Sequence, residues 1–189
     1  MPLNVLLLGP QGAGKGTQAK RITAEYGIPH IASGEILRAE MDAGTELGKR
    51  VKETIERGDL VSDDLMIELI RNRLEQPDTE SGFVLDGFPR TTVQAEALDS
   101  MFGDIGRNFS VAFSLQIPDE VAFDRLRRRA RADDTDEAIQ RRLDNYHRET
   151  EPLIEYYRTR GNVVPIHANR SENEVFAEIQ RALEQVPAV

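Results

Sequence analysis

A glycine-rich loop directly after a short apolar run is the feature that most narrowly limits how this chain can fold. The apolar run covers Leu3–Leu8, and residues 9–18 then read GPQGAGKGTQ. A buried strand, a tight turn and a helix in this order aim several backbone N–H groups at one phosphate, at the positive end of the helix. Lys15 stands where its ammonium group can reach the β- and γ-phosphates of a nucleotide. We therefore interpret the loop as a phosphate-binding loop rather than an ordinary strand–helix turn.

The residue after Lys15 departs from the commonest phosphate-loop pattern. That position usually holds a hydroxyl residue that binds Mg²⁺, but here it is Gly16, and Thr17 comes one place later. We therefore expect any Mg²⁺ to be held largely by nucleotide phosphates and water. The run GKGT, with the shifted threonine, is typical of nucleoside monophosphate kinases.

Short apolar runs alternate with helical patterns along the rest of the chain. This alternation predicts an α/β fold, with a parallel sheet covered by helices on both faces. The predicted strands cover residues 3–8, 28–31, 83–86, 109–117 and 163–167. The predicted helices cover residues 14–26, 34–41, 47–57, 63–74, 91–101, 118–129, 136–160 and 174–186.

Composition limits the partners and the compartment. The 189 residues suit one domain, and 33 acidic against 24 basic residues give a formal charge of −9. Such a surface repels nucleic acid and anionic lipid, so neither is expected as a partner. The chain has no cysteine, which excludes disulfides and thiolate metal sites. Without a visible signal peptide or an apolar stretch of membrane-spanning length, we expect a soluble cytoplasmic protein.

Two further segments offer charges for a second phosphate. Ser33 precedes a helical pattern that contains Arg38, so it can cap that helix or donate its hydroxyl to a ligand. The segment Asp86-Gly87-Phe88-Pro89-Arg90 follows a buried strand. Ligands of open parallel sheets collect beyond the carboxyl ends of the strands, so this segment is expected at the same edge as the loop.

A third segment concentrates positive charge in an acidic chain. Residues 125–131 contain five arginines, Arg141 and Arg142 follow, and Asp133 and Asp134 lie between the two groups. A solvated helix face accounts for some of these arginines. A mobile basic lid that offsets the charge of several phosphates accounts for the others, with Asp133 and Asp134 as candidates to latch it. The three histidines show no metal-ligand spacing.

Taken together, six stretches resemble adenylate kinases over nearly the whole chain and in the same order. They are GPQGAGKGTQ, ASGEILR, GDLV, LDGFPRTTVQ, RARADD and QRRLDNYHRETEPLIEYY. The resemblance implies a three-layer P-loop NTPase fold with a five-stranded parallel sheet. It also implies a helical insertion at residues 32–61 that binds the nucleoside monophosphate, and a short lid at residues 128–134. The implied reaction is ATP + AMP ⇌ 2 ADP, with Mg²⁺ on the triphosphate.

The resemblance also assigns residues by position. Those implied to bind ATP are Gly12, Ala13, Gly14, Lys15, Gly16, Thr17, Arg125, Arg129 and Arg170. Those implied to bind AMP are Ser33, Arg38, Asp59, Leu60, Val61, Gly87, Phe88, Pro89, Arg90, Gln94, Arg131 and Arg142. The implied catalytic cations are Lys15, Arg90, Arg129, Arg131 and Arg142. No direct metal ligand is implied, although Asp86 is a candidate to order water around Mg²⁺. No carboxylate base is expected, since phosphoryl transfer depends on positioning and charge stabilisation.

The sequence departs from the family pattern at several positions. Gln11 stands in the loop at a departure from the family pattern, where we expect it to change the stiffness of the loop. Glu35 replaces the usual Asp, and Arg170 stands where a glycine loop normally approaches the donor adenine. Only a few residues separate Arg129 from Asp134, so the long zinc-binding lid of some relatives does not fit, and no zinc is expected. A monomer is the family expectation.

Other functions remain as alternatives. A UMP/CMP kinase uses the same parts, but such relatives usually have Ala at the Ser33 position and Asn rather than Thr91 after the DGFPR run. A GTPase switch is excluded because the guanine signature N-K-x-D is missing. A silent nucleotide-binding module would have lost its catalytic cations, whereas Lys15 and the arginines are retained.

Overall fold

The computed structural model describes residues 2–161 and 163–186. The described residues form five strands in one all-parallel sheet, so the predicted α/β fold is confirmed. The strands are β1 (Leu3–Leu8), β2 (His30–Ala32), β3 (Gly82–Asp86), β4 (Val111–Gln116) and β5 (Val163–His167). Their order is β2-β3-β1-β4-β5, which places the strand before the glycine-rich loop in the middle of the sheet.

The helices lie where the apolar periodicity predicts them, with boundaries shifted by at most three residues outside the segment 136–160. The first five are α1 (Lys15–Tyr26), α2 (Ser33–Asp42), α3 (Glu46–Glu56), α4 (Asp63–Leu74) and α5 (Thr92–Asp104). The others are α6 (Asp119–Arg129), α7 (Asp136–Asn145), α8 (Pro152–Arg158) and α9 (Glu172–Leu183). Within the described ranges, no helix combines the length and apolar character needed to cross a bilayer.

The segment 136–160 is not the single α-helix that its periodicity predicts. A π-helical turn at Tyr146–Thr150 separates α7 from α8. The next helix begins with Pro152, which has no N–H to donate and whose ring crowds the carbonyl four residues earlier. The N–H of Glu151 instead donates to the carbonyl of Tyr146, 2.8 Å away and five residues back, as in a π-helix. The wider turn directs the buried Thr150 toward the loop after β3.

The central strand is apolar from Val5 to Leu8 because both faces of the sheet are covered. Leu6 and Leu8 point into a core formed mainly with α4, α5 and α8. Val5 and Leu7 point into a second core formed with α1 and α9. All four side chains are at most 2 % exposed. Burial on both faces holds β1 rigidly and therefore fixes the loop that follows it.

Parallel register brings three strand ends to one edge of the sheet. Asp86, the last residue of β3, lies opposite Ala32 of β2 and Leu7 of β1. The glycine-rich loop, the start of α2 and the segment after β3 therefore meet at the carboxyl edge, as the sequence predicts.

Candidate active site

A cavity of about 630 Å³ opens at this carboxyl edge. Its walls carry nine cationic side chains against five carboxylates, although the whole chain has a formal charge of −9. The cations are Lys15, Lys20, Arg38, Arg90, Arg125, Arg129, Arg131, Arg142 and Arg170. The carboxylates are Glu35, Asp59, Asp86, Asp133 and Glu172. Such a concentration of cations suits a ligand that carries several phosphate groups.

The glycine-rich loop forms one end of the cavity. Gly12 has φ = 87°, and a Cβ atom there would lie 2.7 Å from the carbonyl oxygen of Ala122, so only glycine fits this turn. The Nζ of Lys15 donates to the carbonyls of Gly9 and Pro10, at 2.8 and 3.0 Å. An ammonium group has three donors, so one remains for a phosphate oxygen.

Burial lowers the pKa of Lys15 to about 8, and the charges of Arg90 and Arg129 act in the same direction. The carboxylate of Asp86 opposes them and raises the pKa. The charged form of Lys15 therefore destabilises the folded state relative to the unfolded chain. A phosphate ligand would raise the pKa of Lys15 again, because it adds negative charge beside the ammonium group.

Asp86 is the carboxylate nearest to this lysine. Burial alone raises its pKa, but the imidazole of His30 beside it and the charge of Lys15 lower the pKa below its ordinary value of 3.8. The Nε2 atom of His30 lies 3.4 Å from Oδ2 of Asp86. The same Oδ2 lies 3.7 Å from the point that a Cβ atom on Gly16 would occupy. The missing side chain at position 16 thus leaves the space beside this carboxylate open.

Ser33 and Arg90 meet on the opposite side of the cavity. The hydroxyl of Ser33 donates to the carbonyl of Gly87 at 2.8 Å, and Nε of Arg90 donates to the same carbonyl at 2.7 Å. Ser33 does not cap α2, because the N-cap residue is Ala32 and Ser33 already lies inside the helix. Its hydroxyl ties the start of α2 to the loop after β3.

Two further guanidinium groups face the space next to Arg90. Burial lowers the pKa of Arg90, and the charges of Arg142 and Arg38 lower it further. Burial likewise lowers the pKa of Arg38, as does the nearby charge of Arg131. Because these arginines lower the pKa of one another, their guanidinium groups lie close together. A bound anion would reduce the repulsion between them.

The lid segment is organised by aspartates. Arg129 donates to both carboxylate oxygens of Asp134, at 2.9 and 2.7 Å, and the side chain of Asp134 is fully buried. Arg142 donates to Asp134 at 2.8 Å and also binds Asp133. A further N–H of Arg142 donates to the carbonyl of Ile55 at 3.2 Å. Arg142 therefore connects the lid segment with the end of α3.

Arg125 and Arg170 lie at the far end, between the loop and the segment after β5. Arg125 donates to the carbonyls of Gly12 and Ala168, at 3.3 and 3.1 Å. Nε of Arg170 donates to the carbonyl of His167 at 2.9 Å, and its guanidinium also contacts Glu178. The side chain of Arg170 is thus anchored both to the segment after β5 and to α9.

The cavity brings together almost every residue to which the resemblance assigns nucleotide binding, including Gly14, Thr17, Asp59, Leu60, Val61 and Gln94. The exceptions are Phe88 and Pro89. The side chain of Phe88 is 1 % exposed and packs in the core with α5, so only its backbone is available to a ligand. Pro89 lines a small neighbouring cavity instead.

Sequence reasoning missed two polar residues that support the site. Gln18, 2 % exposed, donates to the carbonyl of Glu172 at 3.1 Å and so joins α1 to the start of α9. Thr150 donates to the carbonyl of Arg90 at 2.8 Å. Gln18 ends the loop motif GPQGAGKGTQ, which could have identified it. Thr150 reaches the site through the π turn, and no sequence pattern predicted that turn.

Residues 2–161 and 163–186 contain no group of three or more acidic or histidine side chains placed to hold a metal ion. His147 instead lies between Asp119 and Glu151, at 2.9 and 2.8 Å, on the surface. The expectation of no zinc stays a prediction.

Several known proteins similar to this chain are adenylate kinases. The family model described as adenylate kinase matches residues 7–162. The adenylate kinase of Mycobacterium bovis (strain BCG) is 45% identical over 181 residues, which cover 96% of this chain and 99% of the relative. That of Phocaeicola vulgatus is 42% identical over 188 residues, covering 97% and 100%. That of Methanosarcina barkeri is 40% identical over 213 residues, covering 97% and 99%.

Proposed function

The chain belongs to the adenylate kinase family of nucleoside monophosphate kinases, and we propose that it transfers the γ-phosphoryl group of ATP reversibly to AMP, giving two ADP. The observation that carries this proposal is the cavity between the glycine-rich loop and Arg90, with its nine cationic side chains. Two nucleotides bring together many phosphate charges, and these cations offset their repulsion. In the cell, this reaction would balance the adenine nucleotides and salvage AMP.

The donor nucleotide occupies the end of the cavity at the glycine-rich loop. Backbone N–H groups of Gly12 to Thr17 surround its β- and γ-phosphates, and Lys15 adds its remaining donor. Arg125 and Arg129 hold the nucleotide from α6. The adenine lies against the segment after β5, whose shape Arg170 and Gln18 maintain.

The acceptor occupies the end near α2. Arg38, Arg90, Arg131 and Arg142 hold its phosphate, because their guanidinium groups line the same part of the cavity. The base lies against Ser33, Gln94, the backbone of residues 87–90 and the segment 59–61. In this placement the acceptor phosphate faces the γ-phosphate of the donor across the cationic centre.

Transfer is an in-line displacement. A phosphate oxygen of AMP bonds to the γ-phosphorus while the bond from that phosphorus to the bridging oxygen of ADP breaks. Lys15, Arg90, Arg129, Arg131 and Arg142 stabilise the charge that spreads over the equatorial oxygens. No side chain needs to remove a proton, because the acceptor phosphate is already ionised at neutral pH.

Water must be excluded, because it competes with AMP as the acceptor. We propose that the insertion at 32–61 and the lid at 128–134 close over the two nucleotides. Arg142 supports this coupling, since it contacts Ile55 of the insertion together with Asp133 and Asp134 of the lid.

The residues at the donor end fit Mg²⁺ as the counter-ion of the triphosphate. Asp86 offers hard carboxylate oxygens, and its lowered pKa keeps them ionised. The absence of a side chain on Gly16 leaves room beside Oδ2 of Asp86. Asp86 would hold the ion through water, and the ion would supply positive charge to the β- and γ-phosphates.

The test is a comparison of acceptors. We expect rapid formation of ADP from MgATP and AMP, with CMP, UMP, GMP and dTMP much poorer in kcat/KM, and no turnover without Mg²⁺. A preference for CMP or UMP would assign the chain to pyrimidine nucleotides. Bound ATP without transfer to any acceptor would contradict catalysis altogether.

A further inference from the structure

The side-chain amide of Gln94 is held in one orientation by a hydrogen-bond donor on one side and an acceptor on the other. Its Oε1 accepts from the backbone N–H of Arg90 at 2.8 Å. Its Nε2 donates to Oδ1 of Asp63 at 2.8 Å. A backbone N–H can only donate and a carboxylate can only accept, so these two contacts identify the oxygen and the nitrogen of the amide.

The amide keeps one hydrogen-bonding capacity at each end for a ligand. Nε2 has a second hydrogen and Oε1 has a second lone pair. Gln94 is 2 % exposed, yet its side chain lines the cavity. A base edge that accepts beside Nε2 and donates beside Oε1 therefore fits this amide.

Adenine and hypoxanthine present opposite patterns to such an amide. The Watson–Crick edge of adenine has an acceptor at N1 and a donor at the 6-amino group. Hypoxanthine has a donor at N1 and an acceptor at O6. The oriented amide of Gln94 therefore matches adenine, and it matches a 6-oxopurine only after a flip that exchanges its oxygen and nitrogen.

Asp63 opposes this flip. A flipped amide would place Oε1 against the carboxylate of Asp63 and Nε2 against the N–H of Arg90, so both contacts would become repulsive. Oδ1 of Asp63 also accepts from the hydroxyl of Thr91 at 2.9 Å. Asp63 is fixed at the first position of α4, two residues after the end of the segment 59–61.

We propose that Asp63 is a positioning residue that sets the acceptor-base specificity by locking the amide of Gln94 in the orientation that reads adenine. This inference rests on the proposed function, because it requires that the acceptor base lie against Gln94. Asp63 itself does not contact the base in this account.

The test compares AMP with IMP, which differ only at the edge in question. We expect the unmodified enzyme to prefer AMP strongly. In Asp63→Asn the new amide can donate as well as accept, so only the N–H of Arg90 still opposes the flip of Gln94. The ratio of kcat/KM for AMP to that for IMP should then fall about tenfold or more, the size expected for a hydrogen bond to a charged group. The KM for ATP should remain unchanged.

Asp64→Asn provides the matched control, because Asp64 is the exposed neighbour in the same helical turn and carries the same charge. Its AMP-to-IMP ratio should equal that of the unmodified enzyme. An unchanged ratio in Asp63→Asn, or an equal loss with both acceptors, would overturn the inference. Transfer to AMP and IMP at equal rates by the unmodified enzyme would also overturn it and leave the proposed kinase activity intact. No transfer to AMP would refute the proposed function itself.

Discussion

Lys15 shows the conflict between stability and function at the level of one residue. Its ammonium group is buried among other cations, which lowers its pKa from 10.5 to about 8. The folded chain therefore loses this proton more readily than the unfolded chain does. Below pH 8 both states are charged and the folded state carries the full destabilisation. Between about pH 8 and 10.5 the free energy of unfolding rises with pH, because Lys15 loses its proton in the folded state but keeps it in the unfolded state.

Lys15→Met is expected to remove activity and to stabilise the fold. Turnover should fall by about 10²–10³-fold or more, because a donor to the transferred phosphate is lost. The free energy of unfolding at pH 7 should rise by about 1–2 kcal/mol, with the gain vanishing near pH 10.5. Urea denaturation at pH 7 and pH 10 measures the free energy of unfolding, and an assay of ADP formation measures the turnover.

Lys52→Met is the control, since Lys52 is exposed on α3 and lies outside the cavity lining. It should change neither turnover nor the dependence of stability on pH. A Lys15→Met variant with near-normal turnover would contradict the role of Lys15. A variant less stable than the parent at pH 7 would contradict the account of its burial.

Residue-level prediction succeeds where a motif fixes the local geometry. Lys15 follows from the loop GPQGAGKGTQ, since the loop residues lie within a few positions of one another. The partners of Ser33 and Gln94 do not follow, because each bond closes across a distant strand or helix. Ser33 binds Gly87, and Gln94 binds Asp63, only because β2 and β3 are neighbours and α4 packs on α5.

At the level of elements, one buried carboxylate joins two helices. Asp134 binds Arg129 at the end of α6 and Arg142 of α7. Burial raises the pKa of Asp134, but the hydrogen bond and charge of Arg129 outweigh it and lower the pKa below 3.8. The stabilisation by Asp134 is thus present above pH 3.8 and is lost as the pH falls through its lower value in the folded state.

Asp134→Asn should lower the free energy of unfolding at pH 7 by about 1–3 kcal/mol, because three charged hydrogen bonds lose their acceptor charge. The difference from the parent should shrink as the pH falls below 3.8. Thermal denaturation from pH 7 to pH 3 checks this. Asp144→Asn, at an exposed site on α7 where Gln140 donates to the carboxylate, should show little change. An equal loss at pH 7 and pH 3 would show that packing, rather than charge, is responsible.

The elements themselves follow from the sequence more fully than their irregularities do. The span Asp63–Leu74 of α4 is predicted to the residue, because Pro77 and the first-turn acids mark its limits. The π turn at Tyr146–Thr150 is missed although Pro152 is visible. Helical periodicity continues across the turn. Only the hydrogen bond from Thr150 to the loop after β3 shows where the backbone hydrogen bonds change from the α to the π pattern.

For the whole molecule, the distribution of charge matters more than its total. A formal charge of −9 predicts repulsion of anions, whereas the cavity gathers nine cations beside five carboxylates. The arginines come from three helices, α2, α6 and α7, and from three connecting segments, after β3, after α6 and before α9. Sequence reasoning identified the arginines, but their meeting point depends on the strand order.

The central claim is that two adenine nucleotides occupy this cavity together and exchange one phosphoryl group. The most direct measurement supplies MgADP as the only nucleotide and follows all nucleotides by ³¹P NMR. The account predicts that ATP and AMP appear in equal amounts until equilibrium, with a rate that depends on two bound ADP molecules and without release of inorganic phosphate. Release of phosphate with AMP, or no change in ADP, would contradict it.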